Sequence, residues 1–97
     1  TLATASADHT VRLWNPATSR QTATLTGHDG DVWAVAFSPD GTTLATASDD
    51  HTVRLWNPAT GELRSVIPMR SQVRALAWTS SLLAVGAEAG VAVLRIR

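Results

Sequence analysis

A near-perfect internal repeat constrains this chain more than any other feature of its sequence. The segment 1–18 reads TLATASADHTVRLWNPAT, and the segment 43–60 reads TLATASDDHTVRLWNPAT. The two copies differ only at Ala7 against Asp49, and their first residues, Thr1 and Thr43, set a period of 42 residues. A third, eroded copy lies at 82–96, where LLAVGAEAGVAVLRI matches the second copy if one turn residue is dropped. The fold must therefore be built from a unit of this length that stacks on similar units.

Each unit is composed of short apolar or alternating segments separated by turn residues. TVRLW (52–56) alternates in the manner of a half-buried strand, while NPATG (57–61) and SPDG (38–41) carry the Pro and Gly residues that tight turns favour. VWAVAFS (32–38) is the most apolar segment and is predicted to be the strand with the most buried position. No useful window has helical periodicity, so the sequence predicts an all-β chain of ten strands.

A period of about 40–45 residues with a strand that ends in Trp is typical of the blades of a β-propeller, each a four-stranded antiparallel sheet with strands a to d. Residues 1–97 are then predicted to form a partial propeller of about two and a half blades. Residues 1–25 would supply an incomplete b-c-d blade, residues 32–67 a full a-b-c-d blade, and residues 73–97 a degenerate last blade with strands a-b-c.

Four stretches of the chain resemble the WD-repeat β-propeller family. They are SADHTVRLWN (6–15), Gly27–His28, VAFSPDG (35–41) and SDDHTVRLWN (48–57). The resemblance is strong in the first two units and weak in the third. The Trp-Asp pair of the family is Trp-Asn in both good copies, at Trp14–Asn15 and Trp56–Asn57.

The resemblance implies a hydrogen-bond network inside each full unit. In the second unit its members would be His28, Thr46 or Ser48, Asp50 and Trp56. The first unit would supply Thr4 or Ser6, Asp8 and Trp14. In the third unit Met69–Arg70 replaces Gly-His, Ala89 stands at the Asp position and Leu94 at the Trp position, so no network is expected there. Such a chain of partners would satisfy a buried indole N–H and a buried carboxylate together.

Trp33 stands apart from the other tryptophans because it is out of phase with Val32, Ala34 and Ala36. The family resemblance places it on the top face of the propeller, near the central channel. The nearby positions would hold Asp31 and Asp49 in the second unit, Gln72, Arg74 and Glu88 in the third, and Ala7 in the first. Trp33 would then either anchor a partner protein from an exposed position or pack against the next blade.

Composition and motif spacing favour neither a catalytic site nor the binding of nucleic acid or an anionic membrane. The eight acidic and eight basic residues cancel, so no footprint for nucleic acid or an anionic membrane is visible. The run 48–51 (SDDH) is better explained as a tight turn than as a catalytic triad, and the three His residues lack metal-ligand spacing. We therefore expect no enzyme activity, no metal and no cofactor. The absence of Cys fits a reducing, cytoplasmic compartment.

These observations favour a non-catalytic scaffold that binds proteins or peptides through the propeller top face. The resemblance also allows a place in larger bacterial signalling chains. The alternative is a C-terminal closing segment of a larger propeller, or a fragment that assembles with copies of itself into a ring, without a binding function of its own. An enzyme or small-ligand site would need a polar cluster facing the channel, and none is visible in the sequence.

Overall fold

The computed structural model describes residues 1–5, 8–88 and 90–96. Over these residues the chain is all-β, with three antiparallel sheets and no helix, which confirms the predicted fold class. The first sheet contains β1 (Leu2–Ala5), β2 (Val11–Asn15) and β3 (Arg20–Leu25). The middle sheet contains β4 (Val32–Phe37), β5 (Leu44–Ser48), β6 (Thr52–Asn57) and β7 (Glu62–Pro68). The last sheet contains β8 (Val73–Thr79), β9 (Leu82–Ala87) and β10 (Gly90–Arg95).

Within each sheet the strands follow one another as neighbours in chain order, so each connection is a short segment between adjacent strands. In the turn after β6, the Asn57 carbonyl accepts a hydrogen bond from the Gly61 N–H at 2.7 Å, and Gly61 has φ 76°. A side chain with a Cβ is strained at such a φ, so glycine suits this position of the NPATG segment. In the first sheet Ser19 holds the equivalent position at φ 58°, so the turn forms there with a side chain as well.

The apolar core lies in two layers on the two faces of the middle sheet. One layer, between the first and middle sheets, contains the buried residues Val11, Leu13, Leu25, Val32, Leu44 and Trp56. The other, between the middle and last sheets, contains Ala45, Ala47, Val53, Leu55, Val73, Leu83 and Val85. Each sheet therefore buries its faces only against a neighbouring sheet, as expected for stacked repeat units.

The most buried strand is β5 and not β4, so the prediction based on apolar content is wrong. All five β5 residues are buried, whereas β4 has only Val32 buried and lies at the edge of its sheet. The physical reason is position: β5 has strands on both sides and a core layer on each face, so its small residues fill narrow spaces. The apolar side chains of β4 are covered in part by the last sheet, where Trp78 Nε1 donates a hydrogen bond to the Ala36 carbonyl at 3.0 Å.

Candidate functional site

A chain of hydrogen bonds runs through the interior of the middle sheet. Trp56 Nε1 donates to Thr46 Oγ1 at 2.9 Å, and Thr46 Oγ1 lies 2.7 Å from His28 Nε2. The other imidazole nitrogen, His28 Nδ1, lies 2.8 Å from Asp50 Oδ2. The ionised Asp50 carboxylate can only accept, so the neutral imidazole carries its proton on Nδ1 and donates it to Asp50. Nε2 then accepts from the Thr46 hydroxyl, whose oxygen also accepts from the indole.

The 26–31 loop and the 49–52 turn hold Asp50 in place. Its carboxylate accepts hydrogen bonds from the Asp29 N–H at 3.0 Å and from the Thr52 N–H and hydroxyl at 3.0 and 2.6 Å. Gly30 lies so close to this turn that a Cβ there would be 2.9 Å from the Asp50 nitrogen. The sequence left Thr46 and Ser48 as alternatives for the hydroxyl, and in the structure Thr46 bonds the imidazole. The Ser48 hydroxyl instead accepts the Asp50 N–H at 3.1 Å.

Burial and hydrogen bonding define the charges of the central pair. Burial lowers the pKa of His28 below its usual value and outweighs the opposing effect of Asp50. Burial raises the pKa of Asp50, but hydrogen bonds from Thr52, the Asp29 amide and His28 outweigh it and bring that pKa to about 2. A neutral imidazole and an ionised carboxylate therefore coexist at neutral pH.

The Thr46–His28–Asp50 chain has the same order of groups as a catalytic triad, but its chemistry is different. Thr46 is fully buried, and its hydroxyl already has the imidazole and the indole as partners. A nucleophilic hydroxyl must be accessible to a substrate, and this one is covered on all sides by the protein. The arrangement ties the 26–31 loop, strand β5, the 49–52 turn and strand β6 together, which is a structural task.

The first and last sheets contain only parts of this hydrogen-bond chain among their described residues. In the first sheet Trp14 Nε1 donates to Thr4 Oγ1 at 3.1 Å, and Asp8 accepts from the Thr10 hydroxyl and from Arg12. Ser6, the alternative hydroxyl, lies outside the described residues. In the last sheet the cross-strand register pairs Leu83 with Leu94, as Leu44 pairs with Trp56, which places Val85 at the Thr46 position. Ala89, at the Asp50 position, lies outside the described residues.

A second group of residues lies at one end of the middle and last sheets, the same end as the 49–52 turn. We call this group the top face. Its members are Asp31, Trp33, Asp49, Gln72, Arg74 and Glu88. The same backbone hydrogen bond brings the members of each sheet together, from the Asp49 N–H to the Asp31 carbonyl at 3.0 Å and from the Glu88 N–H to the Gln72 carbonyl at 3.1 Å. Ala7, the position of the first unit predicted to lie nearby, is outside the described residues.

Trp33 and Arg74 occupy equivalent bulges in neighbouring sheets. On β4 the register shifts between Val32 and Ala34, and on β8 it shifts between Val73 and Ala75, so both residues lack a partner across their strand pair. A bulge turns a side chain away from the regular alternation of the strand.

The two bulge residues contact each other across the sheet boundary. The Arg74 guanidinium carbon lies 4.4 Å from the centroid of the Trp33 ring, within the range of a cation–π contact. Arg74 Nε lies 3.7 Å from Asp49 Oδ1, and its Nη2 donates to Gln72 Oε1 at 2.8 Å. Trp33 nevertheless remains 49% exposed. It therefore contacts the next sheet and is also accessible from solvent.

His9 joins this surface from the first sheet, and sequence reasoning missed it. Its Nε2 lies 3.6 Å from Asp31 Oδ1, and both side chains are exposed. The two residues are far apart in the sequence, so only the packing of the first sheet against the middle one brings them together. The left-handed φ of 72° at His9, shared by His51 in the repeat, belongs to a tight turn that the sequence does indicate.

Three further observations bear on function. Among the described residues, no three His, Cys, Asp or Glu side chains are grouped closely enough to hold a metal ion. The part of the chain that the structure describes also has no helix with the length and apolar character needed to span a membrane. A surface depression of about 500 Å³ lies at the opposite end of the sheets and is lined in part by Asp40, Arg64 and Trp78.

Comparison with known proteins agrees with this architecture. The family model described as "WD domain, G-beta repeat" matches residues 1–15 and 19–57, which is more than half of the chain. The chain therefore belongs to the WD-repeat family, whose members generally act as non-catalytic modules of protein–protein interaction. It is also similar to the nuclear distribution protein PAC1 of the fungus Mycosarcoma maydis, with 48% identity over 40 residues. That match covers 41% of this chain and only 9% of the relative.

Proposed function

We propose that this chain is a non-catalytic interaction module that binds a segment of another protein through the top face. The observation that carries the proposal is the half-exposed Trp33, held on a bulge at the sheet boundary. The membership of the chain in the WD-repeat family supports protein binding as its general role. The resemblance to the family suggests the top face as the binding surface, and the exposure and contacts of Trp33 in this chain support that choice.

An exposed indole on a supported backbone is well suited to bind a partner. Tryptophan is enriched among the residues that dominate binding energy, because it buries a large area and loses little side-chain entropy. Arg74 limits the motion of the ring from one side. The carboxylates and the Gln72 amide around it supply the polar rim that interfaces use to exclude water and orient a partner.

Selection of peptides on the immobilised full chain tests this proposal. A random peptide library displayed on phage is selected on the wild type, and the bound clones are then measured on Trp33→Ala and on Val66→Ala. Val66 is a matched control because it is an apolar residue of similar exposure, 46%, on strand β7. We expect the selected peptides to bind the wild type and Val66→Ala and to lose binding to Trp33→Ala. Peptides that bind all three variants equally would contradict a role for the top face.

A second candidate role, the completion of a larger ring, is favoured by the open sheet edges. The first and last sheets have three strands where the middle sheet has four, and the three sheets would be successive blades. Strand β10 is an edge strand with Val91 and Val93 exposed at 79% and 62%. Exposed apolar edge strands pair readily with other chains. Light scattering after size exclusion tests self-association: a discrete oligomer would support a ring of several copies, and a folded monomer would contradict it.

A further inference from the structure

We propose that the top face recognises a basic side chain, arginine or lysine, in the partner segment. This proposal rests on the proposed function, because it names the chemistry of the same surface. It depends on two independent features of the described residues: an indole ring with an accessible part, and an excess of carboxylates around it.

The charge of the top face is unbalanced. It contains three carboxylates, Asp31, Asp49 and Glu88, and one permanent cation, Arg74. The Arg74 guanidinium lies beside Asp49, whose side chain is mostly covered. Asp31 is 43% exposed, and within the described part of the chain its ion-pair partner is His9, which is charged only when protonated. No ion pair joins Glu88 to another residue of the described chain. Exposed Arg70, in the 69–72 connection beside Gln72, adds a second cation to this end of the sheets. Three carboxylates still outnumber two cations, so the surface that a partner meets has a net negative charge.

Arg74 itself acts as an internal example of the proposed ligand. Its guanidinium lies against the Trp33 ring with a carboxylate 3.7 Å away, so the chain already combines a cation with this indole and an acid. The face of an indole attracts cations through its quadrupole, and a guanidinium can also stack on it. A second basic side chain would meet the accessible part of the same ring with Asp31 or Glu88 to neutralise it.

Partners of other character fit this surface less well. An acidic segment would meet three carboxylates and be repelled. A purely apolar segment that covered Trp33 would also remove water from Asp31 and Glu88 without replacing it by donors, and burying unpaired charge is costly. A basic side chain with an aliphatic stem satisfies both the ring and the carboxylates.

The test uses a pair of short peptides that differ only in charge. Acetyl-Gly-Ser-Gly-Arg-Gly-Ser-Gly-amide and the same peptide with citrulline in place of arginine are titrated into the full-length ¹⁵N-labelled chain. The Trp33 indole N–H resonance, identified by its loss in Trp33→Phe, reports binding. We expect the arginine peptide to shift this resonance in a salt-sensitive manner, and we expect the citrulline peptide to leave it unchanged.

Charge variants of the chain make the test sharper. Asp31→Asn should weaken binding of the arginine peptide about two- to five-fold, the range of an exposed ion pair. The control Asp40→Asn removes an exposed carboxylate from the 38–41 turn at the opposite end of the sheet and should change nothing. Arg74→Ala should strengthen binding by a similar factor, because it removes a like charge and uncovers more of the ring. A gain of binding cannot come from damage to the fold.

The outcomes separate this inference from the proposed function. If the citrulline peptide shifts the Trp33 resonance as strongly as the arginine peptide, recognition of a cation is wrong although the surface still binds peptides. The inference is equally wrong if Arg74→Ala weakens binding or if Asp40→Asn acts like Asp31→Asn. If neither peptide binds while phage-selected peptides still depend on Trp33, the inference falls and the binding function stands. If no selected peptide depends on Trp33, both are overturned.

Discussion

Replacing Thr46 with valine removes the hydroxyl that joins His28 to Trp56 while it preserves the shape of the side chain. Thr46 is fully buried, so neither His28 Nε2 nor Trp56 Nε1 can find water in its place. A buried polar atom without a partner costs about 1–3 kcal/mol, and two atoms are affected here. The added methyl group recovers up to about 1 kcal/mol. We therefore expect Thr46→Val to lower the free energy of unfolding by about 1–5 kcal/mol, a large part of the total for a domain of this size.

The first sheet offers a matched control for this variant. Thr4 Oγ1 accepts the same kind of indole hydrogen bond from Trp14, but at an exposed position where water can replace the hydroxyl. Thr4→Val should then cost less than about 1 kcal/mol. Urea unfolding, followed by tryptophan fluorescence and far-UV circular dichroism, measures both variants. Equal costs for Thr4→Val and Thr46→Val would refute the reasoning, because burial of the hydrogen-bond chain would then contribute nothing.

Two further predictions concern the same region. The pKa of Asp50 lies at about 2 in the folded chain and below its unfolded value, so the stability that its charge contributes is complete above about pH 4 and is lost as the pH falls through about 2. Asp50→Asn should make the free energy of unfolding, measured by urea titration at each pH, fall less steeply between about pH 4 and pH 2. The lowered pKa values of Asp40 and His28 leave a remaining slope in both proteins, and an unchanged slope would contradict the assignment. Gly30→Ala should cost about 1–3 kcal/mol in the same unfolding assay, because the new Cβ would meet the backbone of Asp49 and Asp50 at 2.9–3.1 Å. Gly86→Ala, whose Cβ first meets the Ala75 methyl at 3.3 Å, should cost less, and the reverse order would show that the close approach of the loop at Gly30 is unimportant.

The strands and turns could be predicted because their signals are local. Alternation in TVRLW and the turn residues of NPATG and SPDG act over a few positions, and the observed strand β6 coincides with the predicted segment 52–56 within a residue. The all-β class follows from the same signals. The repeat period then indicates that these strands group into similar units, because identical segments form the same local structure.

Burial was harder to predict from composition. The apolar content of β4 suggested the most buried strand, but β5, built from Leu, Ala, Thr and Ser, has that position. Residue type reports how well a side chain leaves water, whereas burial depends on how many neighbours surround the strand. The choice between Thr46 and Ser48 was open for a similar reason, since both are small hydroxyl residues on one face of β5.

The repeat sequence was sufficient to define the unit, its strands, its turns and its family, because each of these depends on residues within one period. The candidate binding surface depends on contacts between periods. Trp33 meets Arg74 across one sheet boundary, and Asp31 meets His9 across the other. Two bulges turn Trp33 and Arg74 toward each other, and no pattern in the sequence marks a bulge. Neighbouring sheets alone bring these side chains together, since the chain returns to the same end of the stack only once in every 42 residues.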